Sequence, residues 1–528
     1  MNRAFVVLFS ILGLVSCASG PSREQDLVNR AADGFGGDTW ASVKTVTIKG
    51  TVKQWEPEQS DVPGGEMRFA NEASFETALD RASRVGRTDL EKKFAYPAPR
   101  TYKFSEILTP DAGYVIGIDT TARNAQNLQM NPPAHAMSSL RLATAQREQR
   151  RGAINSLVLA MRSNPDRVQA APDIVVAGRS YPAVAYENYI VAFDPQTGLP
   201  ARVRTLDYDN VWGDVDYDLV YSDWRDVGGA GKIPFNRKYE LNGRTVAEIT
   251  YTDARVNQPI DSARLEIPAA LRANAPKPAT GSVPYQWVLR RQFIGTYLDS
   301  ENLSYDSRAA GGGLRLQELA PGVQHVIGGS HNSLLVEMSD YLIVFDAPVS
   351  DAQSLWVVNA AKEKFPGKPI RWVVLTHHHM DHTGGVRGLL AEGAILVVGQ
   401  GAGAHFRRVL DAPATRNPDL RPRDFRGTPI LEVPESHVMS DARGRQVIVY
   451  RIDNPHSKSY LIGYVPDAKL GYVTDLWSPG RDPLPAKITP PLASVVTGVK
   501  KHGIEPARFA GGHGSSADYM PLQKLAGE

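Results

Sequence analysis

Apolar and polar positions along this chain follow two rhythms, one after the other. Early on, KTVTIKGTVKQW alternates, with Val46, Ile48 and Val52 on one face and Thr45, Thr47, Lys49, Thr51 and Lys53 on the other. That period of two predicts a half-buried antiparallel strand. RTYKFSEIL and GYVIGID continue the pattern, and from Asp173 so do DIVVAG, YENYIVAFDPQTGLPARVRTLDYD, YDLVYSDWRDV and KIPFNRKYELNGRTVAEITYTDARVN. Asn242-Gly243 between two such runs marks a hairpin. Two stretches break the rhythm: DLVNRAADGFGG predicts a brief helix stopped by glycines. MSSLRLATAQREQRRGAINSLVLAMRSNP repeats Leu140, Ala143, Arg147, Ile154, Leu157, Val158 and Met161 at near-helical spacing, which predicts one long helix ended by Pro165. The expected unit is a large, curved, mostly antiparallel sheet with helical material against it.

The second rhythm begins after a compositional break. PAALRANAPKPATGSVPYQ and SRAAGGGLRL are rich in Ala, Pro and Gly, with YQWVLRRQFIGTYL between them as an ordered patch. They predict a linker over residues 272–313. Beyond it, short apolar strands (VQHVIGG, NSLLVEMSDYLIVFDAP, IRWVVLT, GAILVVG, LGYVTD) alternate with helical stretches (SDAQSLWVVNAAKEKF, GGVRGLLAEG). Alternation of this kind predicts an α/β layered domain over 314–528, with its chemistry on loops at strand ends. A chain of 528 residues exceeds what one core serves, so a β-rich domain over 17–271 and a C-terminal α/β domain are expected.

Charge and the N-terminus narrow the setting. A net charge of +2 offers no broad cationic field for nucleic acid or an anionic membrane surface. In MNRAFVVLFSILGLVSCASG, Arg3 precedes an apolar stretch from Ala4 to Val15 too short to span a bilayer, so residues 1–16 read as an export signal. The ending LVSC resembles a bacterial lipoprotein box, in which the cysteine receives lipid. Cys17 is the single cysteine, so no internal disulfide can form, and acylation would remove a reactive thiol. An ordinary cleaved signal is the alternative. Ala18 in place of an aspartate implies a lipid anchor on the periplasmic face of the outer membrane.

The densest chemistry lies in LTHHHMDHTGG, which holds four of the chain's 12 histidines in six positions. IRWVVL reads as a buried strand, so these residues form the loop that leaves it, ahead of a helix beginning near Gly385. His377 and His379, two apart in extended chain, point the same way; Asp381 and His382 form a second pair. Imidazole nitrogens and a carboxylate oxygen without thiolate suit Zn²⁺ or a similar divalent ion. Gly384 and Gly385 remove side chains where backbone passes close to its neighbours.

His377-x-His379-x-Asp381-His382 resembles the H-x-H-x-D-H signature of the metallo-β-lactamase superfamily, over about Leu314 to Glu528. The resemblance implies an αββα sandwich and further ligands in a set order. DNPHSKSYLIGYVPDAKLGYVTDLW supplies His456 and Asp475, and RFAGGHGSS supplies His513; His437 competes with His456, and strand context favours His456. The implied centre holds two zinc ions: His377, His379 and His456 on one, Asp381, His382 and His513 on the other, with Asp475 bridging. A hydroxide shared by the metals would attack a carbonyl, phosphoryl or sulfuryl centre, with Asp381 orienting it or shuttling its proton. His379 stands where related di-iron oxygen-reducing enzymes carry Glu, which implies hydrolysis over redox chemistry. Asp475 matches the bridging carboxylate of the family's thioester, lactone and phosphoester hydrolases, so cleavage of such bonds in a small molecule is expected, with β-lactam hydrolysis as an alternative. The resemblance gives Asp346 a supporting role; His378 reads as packing behind the loop or supporting a ligand. His331 in GGSHNS is within possible approach of the pocket; His325, His405 and His502 read as surface or core, and Trp477 and Tyr460 as cleft walls or core.

The first half resembles the LolA-like fold of outer-membrane lipoprotein-sorting carriers over roughly Asp26 to Pro268, through AFDPQTGLPARVRT, YSDWRDVGGAGKIPF and VNQPIDSARLEIP. A plain spacer, or a carrier of apolar ligands beside a structural metal domain, is the reading that competes with an enzyme.

Overall fold

The computed structural model describes residues 21–121, 128–129, 132–296, 298–299, 313–329, 331–417, 423–481 and 483–527. Residues 1–16, which read as an export signal, and Cys17 lie outside them, as does most of the segment between 297 and 312. Among the described residues, no helix is long and apolar enough to cross a membrane.

A 13-stranded antiparallel sheet occupies the N-terminal half. One meander runs outward from Thr45–Glu56 through Arg68–Asp80, Val85–Phe94, Arg100–Leu108 and Gly113–Gly117 to Ala134–Ala136. A second runs from Val168–Val176 through Arg179–Tyr186, Tyr189–Phe193, Pro200–Asp209, Gly213–Asp226 and Lys232–Leu241 to Arg244–Val256. The two meet where Thr45–Glu56 pairs with Arg244–Val256. Asn242 and Gly243 take φ of 48° and 79°, the positive pair that a type I′ hairpin requires.

The single long helix expected between the meanders is two, Ser139–Gly152 and Ile154–Ser163. Its break has a tertiary cause. The carbonyl of Arg151 accepts from Tyr221 Oη at 2.6 Å and that of Gly152 from Arg237 Nη1 at 2.8 Å. Side chains of the sheet thus take acceptors that would have continued the helix ladder. Every position in the apolar repeat is nevertheless buried.

In the C-terminal half, a seven-stranded mixed sheet faces a six-stranded one. Val336, Phe345, Val374 and Val397 of the first meet Val449, Leu461, Tyr472 and Ala510 of the second in a shared apolar core. Helices Asp351–Lys364, Val386–Leu390 and Gly403–Asp411 pack outside the larger sheet, and Pro490–Lys501 and Met520–Leu525 outside the smaller. Mixed sheets layered between helices match the α/β expectation.

The two halves dock firmly. The turn after strand Pro200–Asp209 carries Val211, which shares a core with Val386 and Leu389 of the C-terminal half and with Trp287 and Val288 of helix Tyr285–Ile294. Arg387, wholly buried, donates to the carbonyls of Asn210 (2.8 Å) and Val211 (3.2 Å) and to that of Val409. Tyr208 Oη donates to Asp351 Oδ2 at 3.1 Å across the same junction. Helix Tyr285–Ile294 falls inside the stretch whose composition reads as linker, yet it is buried, and its Arg290 joins Glu56 (2.9 Å) to Asp209 (2.8 Å).

Two predictions follow from these buried polar groups. Arg387→Leu leaves three buried carbonyls without their donor, at about 1–3 kcal/mol each; urea unfolding should show a loss of roughly 3 kcal/mol or more, and a loss under about 1 kcal/mol would refute the clamp. Glu56 and Glu58 are 1% and 2% exposed; burial pushes their carboxyls up to about 7 and about 8, against the pull of Arg290. As pH rises from the ordinary value of 4.5 toward 8 the unfolded chain gives up these protons first. The folded state holds more protons over that window, so stability falls across it and levels beyond. Melting temperatures from pH 5 to 9 should show that slope, and Glu58→Gln should flatten it.

Candidate metal centre

Strand ends of both C-terminal sheets converge on one place. Strand Ile370–Val374 delivers His377 and His379, Leu470–Val473 delivers Asp475, Arg508–Gly511 delivers His513, and Leu342–Phe345 delivers Asp346. His456 precedes Leu461–Val465, and His331 precedes Ser333–Glu337. The loop after His379 is shorter than the sequence suggests. Residues Met380–Thr383 already form a single helical turn, with Val386–Leu390 as a second helix. Asp381 and His382 therefore project from a helix turn and not from extended chain. Gly384 makes that turn possible, since a Cβ there would stand 2.3 Å from the carbonyl oxygen of Val349.

Two groups of donors face each other. His377, His379, His456 and Asp475 form one; His331, Asp381, His382 and His513 form the other, and within each the ligand atoms lie within 4.8 Å of one another. Asp475 reaches both. Its Oδ2 is 3.1 Å from His377 Nε2, 3.0 Å from His456 Nε2 and 3.2 Å from His382 Nε2, and its Oδ1 is 2.5 Å from His513 Nε2. His331, reached from a separate strand, sits 3.1 Å from Asp381 Oδ2 and is the donor that spacing within the motif could not reveal.

Hydrogen bonds to the far side of each ring decide which nitrogen faces the centre. His379 Nε2 lies 2.9 Å from the carbonyl oxygen of Ser60. A carbonyl only accepts, so Nε2 carries the proton and Nδ1 presents a lone pair. His382 Nδ1 lies 3.1 Å from Asp346 Oδ2, which likewise turns Nε2 inward. Asp346 is itself held by the backbone N–H of Thr376 at 2.7 Å. Of the two inward nitrogens, His379 Nδ1 is buried and has no hydrogen-bond partner among the described residues, while His382 Nε2, also buried, faces the carboxylates of Asp475 at 3.2 Å and Asp381 at 3.8 Å. An orphaned lone pair on His379, with further imidazoles and carboxylates aimed at the same place, is the donor set a divalent cation completes.

Electrostatics agree. Burial first, then repulsion among neighbouring imidazoles, holds His379 well below its ordinary value; burial likewise brings His377 down to about 4 and His331 to about 3. These rings are neutral ligands at pH 7. His382 is the exception: burial opposes its charge, but Asp475 and Asp381 raise it well above the usual range. Asp381 and Asp475 are held far down, against burial, chiefly by His382. A proton on His382 thus partly offsets a cluster of carboxylates that needs positive charge.

The remaining histidines and aromatics sort by contact. His378 Nδ1 and Nε2 lie 3.3 Å from Ser457 Oγ and Ser60 Oγ, behind the loop. His325 Nε2 meets the carbonyl of Gly511 at 2.9 Å, and His502 Nε2 that of Arg451 at 3.0 Å. His405 is buried on helix Gly403–Asp411. His437 lies on strand Ser436–Ser440 against Trp372, away from both donor groups. Tyr460 is no cleft wall: it is wholly buried and stacks on His377 at 5.4 Å. Trp477 packs in the core under the smaller sheet. Gln59, Ser60 and Tyr96 come from the N-terminal sheet and were not foreseeable, because no local pattern ties them to a motif more than 270 positions away.

Comparison with known proteins places this geometry. Residues 326–515 match the family described as the metallo-beta-lactamase superfamily. No match was found among curated proteins. Partial likeness extends to the metallo-β-lactamase FIM-1 of Pseudomonas aeruginosa in its mono-zinc form, at 20% identity over 40% of this chain and 93% of that one, with a TM-score of 0.31. A metallo-β-lactamase of Hirschia baltica is 18% identical over 40% of this chain and 96% of its own, with a TM-score of 0.30. The inverting sec-alkylsulfatase Pisa1 of a Pseudomonas species is 15% identical over 43% of either chain, with a TM-score of 0.31, so the chain spans less than half of that protein. Residues 326–515 are a metallo-β-lactamase superfamily domain, with a hydrolase fold and two groups of candidate metal ligands.

Proposed function

We propose that this chain is a two-zinc hydrolase of the bacterial cell envelope that cleaves an ester-, thioester-, lactone- or phosphoester-type bond in a small molecule. The observation that carries the reading is Asp475, one carboxylate within 3.2 Å of nitrogens from both donor groups. His377, His379 and His456 would hold one ion and Asp381, His382 and His513 the other, with His331 beside the second. Bound there, the two cations supply Lewis acidity and a water ionised near neutral pH.

The chain's own groups do the rest. Asp346 and the Ser60 carbonyl fix the tautomers of His382 and His379, so lone pairs are aimed before any ion arrives. Tyr460, flat against His377, keeps water from the back of that ring. Asp381 is partly exposed, at 17% of its side chain, and is the carboxylate placed to orient an attacking water or take its proton at Oδ2. Amide hydrolysis of the β-lactam type is the alternative within this chemistry.

A second reading has its own observation. A cavity of about 420 Å³ between the 13-stranded sheet and the helices is lined by Ile48, Val52, Phe75, Leu79, Ile249 and Tyr251. Its apolar walls fit a LolA-like carrier of an apolar ligand, with the metal domain structural.

Metal analysis of the protein lacking residues 1–17 should give two zinc ions per chain. Turnover on a panel of thioester, lactone, phosphodiester, sulfate ester and β-lactam substrates should require them. Asp475→Asn should lower it by more than the roughly 10- to 100-fold typical of losing an outer partner of a ligand. Zinc-loaded protein that turns over nothing yet binds a fluorescent fatty acid would favour the carrier. For the anchor, metabolic labelling with an alkyne fatty acid should mark the full chain and not Cys17→Ala; an unlabelled wild-type chain would refute it.

A further inference from the structure

The connection between strands Thr45–Glu56 and Arg68–Asp80 belongs to the N-terminal sheet, yet residues 57–61 end inside the metal centre. Gln59 and Ser60 are 3% and 4% exposed. The segment is attached through three of its residues. Besides the bond from His379 to the Ser60 carbonyl, the carbonyl of Asp61 accepts from Lys458 N at 2.9 Å, two residues from His456. Gln59 Nε2 donates to Asp381 Oδ1 at 2.8 Å. Its root is fixed as well, since Glu56 is the partner of Arg290.

The direction of the Gln59 contact follows from chemistry alone. An ionised carboxylate only accepts, so the amide NH₂ faces Asp381 and the amide oxygen faces away. That oxygen meets the hydroxyl of Tyr96, which must therefore donate. Burial, followed by the charges of Asp381 and Asp475, pushes the Tyr96 phenol well above its ordinary value, so it keeps that proton. Tyr96, Gln59, Asp381 and His331 make one directed chain. Asp381 is gripped at Oδ1 by the amide and faces His331 at Oδ2.

We propose that residues 57–61 are a built part of the metal centre, with Gln59 positioning Asp381 and the Ser60 carbonyl setting the tautomer of His379, so that the metal-binding unit is the whole chain and not the C-terminal domain. The inference rests on the two-metal reading above. Without Gln59, the Asp381 carboxylate is free to rotate away from the second ion; without the segment, His379 loses the acceptor that turns Nδ1 inward. Groups that orient a ligand in this way are worth roughly 10- to 100-fold in metal affinity.

The test uses the full chain and needs no substrate. Zinc affinity and stoichiometry are measured by competition with a chromophoric chelator, and cobalt(II) absorption reports the ligand geometry, for wild type, Gln59→Met, Gln59→Ala, Tyr96→Phe and His377→Ala. Gln59→Met keeps the side-chain length and removes the donor. It should retain the wild-type melting temperature, weaken one of two metal equivalents by about 10- to 100-fold, leave the other intact and alter the cobalt spectrum. Tyr96→Phe should move the same equivalent in the same direction by less, and it decides the matter if both Gln59 variants fail to fold. Two equivalents bound by the Gln59 variants with wild-type affinity and an unchanged spectrum overturn the proposal and leave the metal centre standing. A wild-type chain that binds no more metal than His377→Ala overturns the two-metal reading, and this inference with it.

Discussion

Asp346, Asp381 and Asp475 gather in one partly desolvated place, among imidazoles that burial keeps neutral, and this concentration of negative charge governs the rest of the structure. Desolvated carboxylates are tolerated only when positive charge or several donors meet them. Here the donors are already committed: Asp346 meets the Thr376 backbone and hydroxyl, Tyr472 and His382, and Asp381 meets Gln59 and His331. Among the described residues, Asp475 is met by four histidine nitrogens. A single proton on His382 cannot balance three acids. The pair of divalent cations proposed above would do so while also meeting the orphaned Nδ1 of His379, so electrostatics and hydrogen-bond accounting favour the same reading.

That arrangement demands accuracy from the scaffold, because its donors come from several strand ends and one helix turn. Two facing sheets with a dry core between them fix those ends relative to one another. The junction with the N-terminal sheet extends the same rigidity. Arg387 and Arg290, both buried, spend their donors on backbone carbonyls and carboxylates that belong to different elements. Such contacts contribute less to net stability than to fixing one arrangement, since their desolvation cost is high and any misplacement leaves charge unpaired.

The sequence made the local features legible. Period-two alternation located strands, Asn242-Gly243 located a hairpin, and the histidine motif with the order His456, Asp475, His513 pointed to residues that the fold brings together. Features set by tertiary contact were hidden. Residues 139–163 carry an unbroken helical repeat, and the break comes from Tyr221 and Arg237 of the sheet. Ala-, Pro- and Gly-rich flanks made residues 272–313 read as a linker around one ordered patch, and that Trp287 and Arg290 of this patch are core and clamp was not visible in it. His331 lacked a motif, and its approach to Asp381 depends on which strand lies beside which.

The N-terminal segment shows why one part of the site leaves no trace in residue identity. His379 is oriented by the carbonyl of Ser60, 319 positions away, and every residue has a carbonyl. The serine hydroxyl makes a separate contact with His378, so position 60 can change type while the bond to His379 persists. What specifies that bond is the location of the backbone, and that location follows from the pairing of strand Thr45–Glu56 with its neighbours and from the Glu56–Arg290–Asp209 cluster at its end. Information about a ligand's tautomer is therefore stored in sheet register and a buried ion cluster, not in the residue that delivers it. A change at Arg290, with no contact to any ligand, has a physical route to the metal centre through Glu56 and the four residues that follow.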